Sequence, residues 1–302
     1  PTTSDPSQDG VVLPVVGDVT AGSRMHTRLQ PDQTVRVFTG AAMPALADAV
    51  VPLAWTDNGE TRVTINRRVN PGDFVRKVGD DVTPGDIAVR AGTIVGPAQV
   101  GLLAAVGRDK VLVHPRPRVS IISVGNELVD LDRIPGQGQV YDVASYALTA
   151  AALEAGAEVH RVGIVSTEPR AFRELVETQL LRSEIVVIAG AVGGIASEHV
   201  RNVLADLGEV EVERVAMHPG SVQGFGLLGA DQIPTFLVPS NAVSALLVFE
   251  LMVRPMIRIA LGKRHPMRRI IRARTIIPVT SMKGRAGYLC CLLYTSPSPR
   301  DG

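Results

Sequence analysis

The rhythm of hydrophobic and polar positions changes near residue 114. Before it, from 26 to 113, short Val-rich runs are divided by turn signals such as PGD at 71–73, a pattern that predicts short β-strands. The segment 96–109 differs, because its apolar residues recur at helical spacing and a glycine stands near its end. We therefore expect residues 1–113 to form a β-rich N-terminal region with one helix.

From residue 114 onward, strand-like runs alternate with amphipathic runs, which favours an α/β domain with a parallel, doubly wound sheet over 114–262. The predicted strands are 119–124, 157–165, 184–190, 212–217 and 233–238, and the predicted helices are 141–156, 168–182, 196–208 and 240–262. The first of these helices places Ala144, Leu148, Ala151 and Ala155 on one face. Residues 263–289 are expected to start a truncated C-terminal β domain. Residues 291–302 read like a translated sequencing adaptor, so they carry no fold prediction.

Composition excludes several classes of protein. The 31 Lys and Arg residues balance 30 Asp and Glu residues, so no global field favours nucleic acid or an anionic membrane. The two cysteines, Cys290 and Cys291, are adjacent, which argues against a disulfide framework and favours a cytoplasmic protein. The longest apolar run, 242–253, is too short to span a membrane and contains Glu250. Serine-hydrolase, Walker A and zincin motifs are absent from the sequence.

Candidate chemistry lies at the expected strand ends, because ligands of open α/β sheets bind beyond the carboxyl ends of the strands. Four such tips are rich in Gly, Ser or Asn: 123–127, 189–194, 217–221 and 238–241. Two of them lead into predicted helices, whose first N–H groups favour a phosphate, and Ser240 or Asn241 is expected to cap the last helix. Each tip alone is compatible with an ordinary turn. Together they predict a phosphate-bearing ligand.

The tip at 217–221 belongs to a longer stretch, VAMHPGSVQGFG at 215–226, in which glycines follow an apolar run. Glycine lets a backbone approach a ligand closely and direct its N–H groups at an anion. His218 is the only side chain in this stretch that can become a cation. We expect 215–226 to be a loop after a strand, with the backbone shape of a phosphate cradle and little charge.

These motifs resemble the MoeA, or gephyrin E-domain, molybdopterin molybdenumtransferases. The likeness covers roughly residues 19–289 and is carried by 36–53, 79–107, 116–129, 138–148, 215–226 and 238–255. The sequences AGAVGG at 189–194 and HPGSVQGFG at 218–226 are most similar to an actinobacterial, gephyrin-like (Glp-type) branch associated with cell division. The resemblance implies a MoCF-biosynthesis-type α/β domain in an elongated homodimer.

The resemblance also implies a reaction, in which molybdate is inserted into the dithiolene of adenylylated molybdopterin, with Mg²⁺ assisting and AMP released. Glu127 and Glu198 would hold Mg²⁺, and Thr39 would act from the β-rich region of the same subunit or of its partner. The residues implied in binding the pterin substrate are Gly40, Ser123, Gly125, Asp142, Gly190, Gly193, Gly194, His218, Gly220, Ser221, Pro239, Ser240, Asn241 and Ser244.

The chain departs from the family pattern at several of these places. Asn126, Thr167 and Glu198 stand where the family has aspartates, and His218 and Ser221 stand where it has two lysines. A lysine in a partly dry anion site contributes about a few kcal/mol of transition-state stabilisation, and each 1.4 kcal/mol is about tenfold in rate. Loss of the two lysines is therefore expected to weaken catalysis.

Two functions follow from this pattern. The first is the molybdenumtransferase. The alternative is a gephyrin-like scaffold with weak or absent catalysis, whose groove binds a peptide of a cell-division protein. The stretch 254–274, with eight Arg or Lys and no acid, is interpreted as a solvated hinge, with docking of an acidic peptide or of the ligand's phosphates as the alternative.

Overall fold

The computed structural model describes residues 10–23, 28–193, 196–289 and 291, and the chain divides into two compact units. The first unit contains the described residues up to 91 and residues 95–107. The second contains residues 92–94 and the described residues from 108 onward. Each unit has its own sheet.

A three-stranded sheet forms the centre of the first unit, with β1 between a parallel β2 and an antiparallel β3. Its elements in chain order are β1 (Val11–Val19), β2 (Thr34–Val37), a 3₁₀ turn (Leu53–Trp55), β3 (Arg62–Ile65) and α1 (Pro97–Ala105). The predicted helix is confirmed. Strand β1 lies before residue 26, where the predicted strands begin, and it was not predicted. Pro14 and Gly17 interrupt its hydrophobic pattern. Pro14 occupies the last position paired with β3, and Gly17 falls in an irregularity of the pairing with β2.

The second unit is a six-stranded sheet between two layers of helices. Its elements are β4 (Arg118–Val124), β5 (Leu128–Val129), β6 (Val140–Tyr141), α2 (Val143–Ala155), β7 (Glu158–Val165), α3 (Pro169–Leu180), β8 (Ile185–Val192), α4 (Ala196–Ala205), β9 (Gly208–Arg214), β10 (Met217–His218), β11 (Val222–Leu228), β12 (Ile233–Pro239), α5 (Ala242–Val248), a π-helical turn (Phe249–Val253), α6 (Arg254–Ala260) and β13 (Ala286–Gly287). The strand order is β7-β4-β8-β12-β11-β9. The predicted α/β fold is therefore confirmed.

One strand of this sheet, β11, runs antiparallel to both of its neighbours. The expectation of a loop through 226 was wrong, because β11 begins at Val222. The glycines serve strand packing: a Cβ at Gly226 would lie 2.7 Å from the Glu209 carbonyl oxygen of β9, and one at Gly224 would lie 3.0 Å from that of Glu211. Glycine is therefore used here for close strand approach rather than for a turn.

Both faces of the sheet are covered by apolar layers. Helices α2, α5 and α6 cover one face, and α3 and α4 cover the other. The face predicted for α2 is confirmed, since its four residues are all buried: Ala144, Leu148, Ala151 and Ala155. Strand β8 is buried along its whole length, and its side chains alternate between the two layers from Ile185 to Ala189. This rigid centre fixes the strand ends at the edge of the sheet.

The helix predicted over 240–262 is interrupted by the π-helical turn, which ends just before Pro255. Proline has no N–H group, and its ring clashes with the carbonyl four residues earlier, so a regular α-helical turn cannot pass through it. The wider turn accommodates the proline within one continuous helical segment. No helix in the described ranges is long and apolar enough to cross a bilayer.

Leu148 provides a test of this core. Its side chain is fully buried, whereas Leu153 on the same helix is 56% exposed. We expect Leu148→Ala to lower the free energy of unfolding by about 2–5 kcal/mol, because it leaves a cavity. Leu153→Ala, the matched control, should change it by about 0.5 kcal/mol or less. Urea denaturation followed by circular dichroism measures both, and equal losses would contradict the packing described.

Candidate functional site

Three of the four predicted strand tips meet in one cleft at the carboxyl edge of the sheet. The cleft has a volume of about 420 Å³, and its polar lining comprises Ser123, Glu127, Tyr141, Asp142, Ser240 and Asn241. Gly190 of β8 lies between these groups. Strand β4 lies between β7 and β8 in the sheet. The connection from β4 to β7 runs through α2 on one face and that from β7 to β8 through α3 on the other, so the connections diverge and leave a crevice at this point.

Gly190 allows the tips of β4 and β8 to approach each other. Its φ is +85°, and a Cβ there would lie 2.1 Å from the carbonyl oxygen of Val124. Any side chain at 190 would therefore push the two strand ends apart. This glycine lines the cleft, and it also determines the width of the cleft.

Asp142 is a buried carboxylate that joins two walls of the cleft. It is 1% exposed and caps α2, with its Oδ1 accepting the Ser145 N–H at 3.0 Å and the Ser123 hydroxyl at 2.9 Å. Its Oδ2 accepts the Ser145 hydroxyl. Asp142 is therefore the N-cap of α2, one residue inside the helix predicted over 141–156. The role in binding the pterin substrate that the resemblance implies for it stays a prediction. Ser123 likewise donates inward to Asp142.

Glu127 is the exposed carboxylate of the cleft. Its side chain folds back over Gly125, where an added Cβ would lie 2.8 Å from Oε2 of Glu127. Gly125 is buried and does not itself line the cleft, so it makes room for the glutamate. The Glu127 carbonyl accepts the Val140 N–H at 2.8 Å, which ties the residue to the paired strands β5 and β6.

Asn126 and Thr167, where the resemblance implies aspartates, contact each other. The Thr167 hydroxyl donates to Asn126 Oδ1 at 3.3 Å. The neighbouring Glu168 caps α3, and hydrogen bonds from the N–H groups of Ala171 and Arg170 lower the pKa of its carboxyl. Asn126 and Thr167 therefore form a neutral hydrogen-bonded pair, and the adjacent carboxylate of Glu168 caps α3.

The fourth tip, 217–221, lies at the same edge but does not line the cleft. It follows β9, precedes β11 and packs on the start of α5. Gly220 has a φ of +83°, and a Cβ there would lie 3.0 Å from Val248 Cγ2 and 3.4 Å from the Ser244 carbonyl oxygen. Gly220 therefore permits tight packing against the helix, and Ser221 follows it directly before β11.

His218 is exposed on this tip, and its backbone pairs with a strand that is not part of the six-stranded sheet. Strand β13 runs parallel to β10, and the Tyr288 N–H donates to the His218 carbonyl at 2.8 Å. The segment around 287 therefore fixes the backbone of His218.

Asn241, rather than Ser240, is the cap of α5, since its Oδ1 accepts the Ser244 N–H at 3.1 Å. Ser240 and Asn241 line the cleft, whereas Pro239 ends β12 and Ser244 lies in the first helical turn. The sequence had left either residue as the cap, and the structure selects the second.

Of the other predicted residues, Gly193 and Glu198 belong to the second unit and do not line the cleft. Gly193 is exposed just after β8, and Gly194 lies outside the described residues. Glu198 is exposed in the first turn of α4 and does not line the cleft. Thr39 and Gly40 form a turn of the first unit. Their roles stay predictions.

Metal binding by the protein alone is not supported within the described ranges, which contain no group of three or more His, Cys, Asp or Glu side chains placed to hold a metal. The cleft does offer the exposed carboxylate of Glu127. Mg²⁺ usually takes only one or two protein carboxylates and fills its other positions with water and substrate phosphates. This donor set therefore fits Mg²⁺ bound together with a phosphorylated ligand.

Sequence reasoning missed a charged cluster beside the cleft, formed by Arg161, Asp130 and Tyr146. Arg161 donates to Asp130 Oδ2 at 2.8 Å and to Tyr146 Oη at 3.0 Å, and its guanidinium lies 4.0 Å from the Tyr146 ring centroid. The Tyr146 hydroxyl donates to Asp130 Oδ1 at 2.6 Å. That hydrogen bond, Arg161 and the Leu131 N–H lower the pKa of Asp130 to about 2. The one sequence signal was an arginine two residues before a glycine in a predicted strand.

Comparisons with protein families and with individual proteins show what this chain is similar to. Residues 2–107 match the MoeA N-terminal region (domain I and II), and residues 120–259 match a probable molybdopterin binding domain. Molybdopterin molybdenumtransferase 1 of Mycobacterium tuberculosis is 66% identical over 93% of this chain and 66% of its own length. Molybdopterin molybdenumtransferase 2 of the same organism is 35% identical over 95% of this chain and 72% of its own length.

A solved structure agrees with these relatives. The molybdopterin biosynthesis moea protein from Pyrococcus horikosii is 33% identical, with a TM-score of 0.68, and the match covers 85% of this chain and 64% of that one. The chain therefore spans about two thirds of the length of the proteins it resembles.

Gly190→Ala tests the close approach of the strand tips. We expect it to destabilise the second unit by more than about 3 kcal/mol, since backbone strain and a clash with a carbonyl act together. Gly138→Ala is the matched control, because Gly138 has a φ of +77° but nothing within 4 Å of an added Cβ. It should cost about 1 kcal/mol. Chemical denaturation of both variants checks this, and an equal cost would show that contact with Val124 is unimportant.

Asp130→Asn tests the charged cluster through pH. The folded pKa of about 2 lies below the ordinary value of 3.8, so the ionised group stabilises the fold above pH 3.8 and loses this effect as pH falls through about 2. The stability difference between wild type and variant should be constant at neutral pH and shrink between pH 4 and about 2. Denaturation at a series of pH values measures it. A difference that grows on acidification would contradict the assignment.

Proposed function

This chain belongs to the MoeA family of molybdopterin molybdenumtransferases, and from that premise we propose that it inserts molybdate into adenylylated molybdopterin and releases AMP. The observation that carries the proposal is the meeting of the β4, β8 and β12 tips in one cleft that contains the carboxylate of Glu127. Its volume of about 420 Å³ is in the range of small-molecule sites.

Backbone amides account for binding of the phosphates. Val143 and Ala144 of α2, and Ala242 of α5, line the cleft at the beginnings of their helices. The first N–H groups of a helix have no partner within it, and the helix dipole adds positive potential there. These groups favour a pyrophosphate without a lysine, which suits a chain that has His218 and Ser221 where the family has lysines.

The acidic side chains have two distinct roles in this proposal. Asp142 is buried and engaged by Ser123 and Ser145, so it shapes the cleft rather than binding ligand. Glu127 is exposed and would accept a metal ion held jointly with the substrate's phosphates. A role for Glu198 as second carboxylate rests on the resemblance alone, because Glu198 does not line the cleft. Mg²⁺ bound there supplies positive charge that offsets the charge on the phosphate oxygens.

The remaining parts of the proposal rest on the resemblance. They are a role in the reaction for Thr39, of this subunit or of its partner, a cytoplasmic homodimer, and molybdate as the second substrate. His218 donates one hydrogen bond when neutral and adds charge only when protonated. The comparisons give no support to the gephyrin-like scaffold that binds a cell-division peptide, and no observation favours it over the enzyme.

Glu127→Gln in the protein expressed from its complete gene tests the proposal. With adenylylated molybdopterin, molybdate and Mg²⁺, wild type should release AMP. The variant should lose about 100-fold or more in kcat/KM, because a neutral amide binds Mg²⁺ poorly. Glu209→Gln, an exposed position on β9, is the control and should retain wild-type turnover. Absence of AMP release by wild type, or full activity of Glu127→Gln, would refute the proposed chemistry.

A further inference from the structure

We propose that Arg161 is a positioning residue, which holds the segment 127–142 in place and thereby orients Glu127 in the cleft. The segment consists of β5, β6 and their connection, and it contributes Glu127, Leu128, Val140, Tyr141 and Asp142 to the lining. The inference rests on the proposed function only in its consequence for turnover. The positioning itself is argued from contacts alone.

A β-bulge directs Arg161 toward this segment. In the pairing of β7 with β4, Arg161 is opposite Ile121 and Gly163 is opposite the next residue, Ile122, so β7 contains one extra residue there. Bulges often redirect side chains beside functional sites. Val162 and Val165 both pack in the layer of α3 and α4, whereas Arg161 reaches α2 on the opposite face. Regular alternation would place two residues three apart on opposite faces.

The guanidinium contacts both ends of the segment. At one end it donates to Asp130, directly after β5. At the other end it donates to Ser145 Oγ at 3.1 Å, and Ser145 in turn donates to Asp142, directly after β6. Its Nη1 also lies 3.9 Å from Asp142 Oδ2. One side chain on the edge strand therefore bridges the start and the end of the cleft wall.

Gly163 and Tyr146 lie against the guanidinium of Arg161. A Cβ added to Gly163 would lie 3.5 Å from Arg161 Nη1, so the charged group lies along that part of the bulge. The Tyr146 ring covers the guanidinium, and its hydroxyl bonds both Arg161 and Asp130. The planar guanidinium donates hydrogen bonds in fixed directions, and the Tyr146 ring packs against it. The ammonium group of a lysine, on a flexible stem, cannot reproduce this orientation.

We expect the cluster to act mainly by orienting Glu127 rather than by stabilising the fold. The side chains of Arg161 and Asp130 are 24% and 34% exposed, and partly exposed ion pairs contribute modestly to folding. Glu127 lies three positions before Asp130, and its carbonyl is bonded to Val140 in the same segment. Release of Asp130 therefore loosens the backbone that carries the metal-binding carboxylate. Misplacement of about 1 Å is enough to slow an enzyme about 100-fold.

Arg161→Met removes the charged fork and keeps the apolar stem. The matched control is Arg118→Met on neighbouring β4, since Arg118 forms a comparable ion pair with Glu184 away from the cleft. Hydrogen–deuterium exchange of the full chain without ligand should be about tenfold faster in peptides covering 127–141 for Arg161→Met. For Arg118→Met the exchange of those peptides should not change.

Turnover of the complete protein provides the second measurement. Arg161→Met should lower kcat at least about tenfold, with KM within about threefold of wild type, because the groups that bind the phosphates are left in place. Arg161→Lys should recover only part of the loss, and Arg118→Met should keep wild-type kcat.

Unchanged exchange in 127–141 after Arg161→Met would overturn the proposal, as would equal losses of kcat in the two methionine variants. If wild type itself releases no AMP, the proposed function fails, and the exchange experiment still decides whether Arg161 holds the segment.

Discussion

The site depends on one buried anion, the carboxylate of Asp142. It accepts hydrogen bonds from Ser123 at the end of β4 and from Ser145 in α2, and Arg161 of β7 approaches it from the edge of the sheet. A buried charge is tolerable only when its oxygens are paired, so these three elements have one favourable arrangement. That arrangement places the start of α2 and the strand tips around a common space.

This constraint separates the groups that build the cleft from those available to a ligand. Asp142 and Ser123 satisfy one another, and Gly190 brings β4 and β8 together, so these residues shape the wall. Glu127, Ser240 and the first amides of α2 remain directed to the cleft. An anionic ligand therefore encounters backbone dipoles first, with a carboxylate nearby that requires a cation between it and the phosphates.

Local signals predicted much of this arrangement from the sequence. Ser240 or Asn241 before an apolar helix indicated a cap, and the alternation of strands and helices placed four strand tips at one edge, three of which line the cleft. The remainder depended on tertiary contacts. Gly224 and Gly226 suggest a turn in isolation, and only the proximity of β9 makes them strand residues. The role of Arg161 depends on a bulge, which periodicity does not reveal. Tertiary packing, rather than local propensity, decided these cases.

A crystal structure of the protein with bound adenylylated molybdopterin tests the central claim most directly. The account predicts that the pyrophosphate lies in the cleft, within hydrogen-bonding distance of backbone N–H groups at the start of α2 and near 240–242, with Glu127 facing it across a metal ion. Pyrophosphate bound instead to the arginines of 254–274, with the cleft left to solvent, would contradict it.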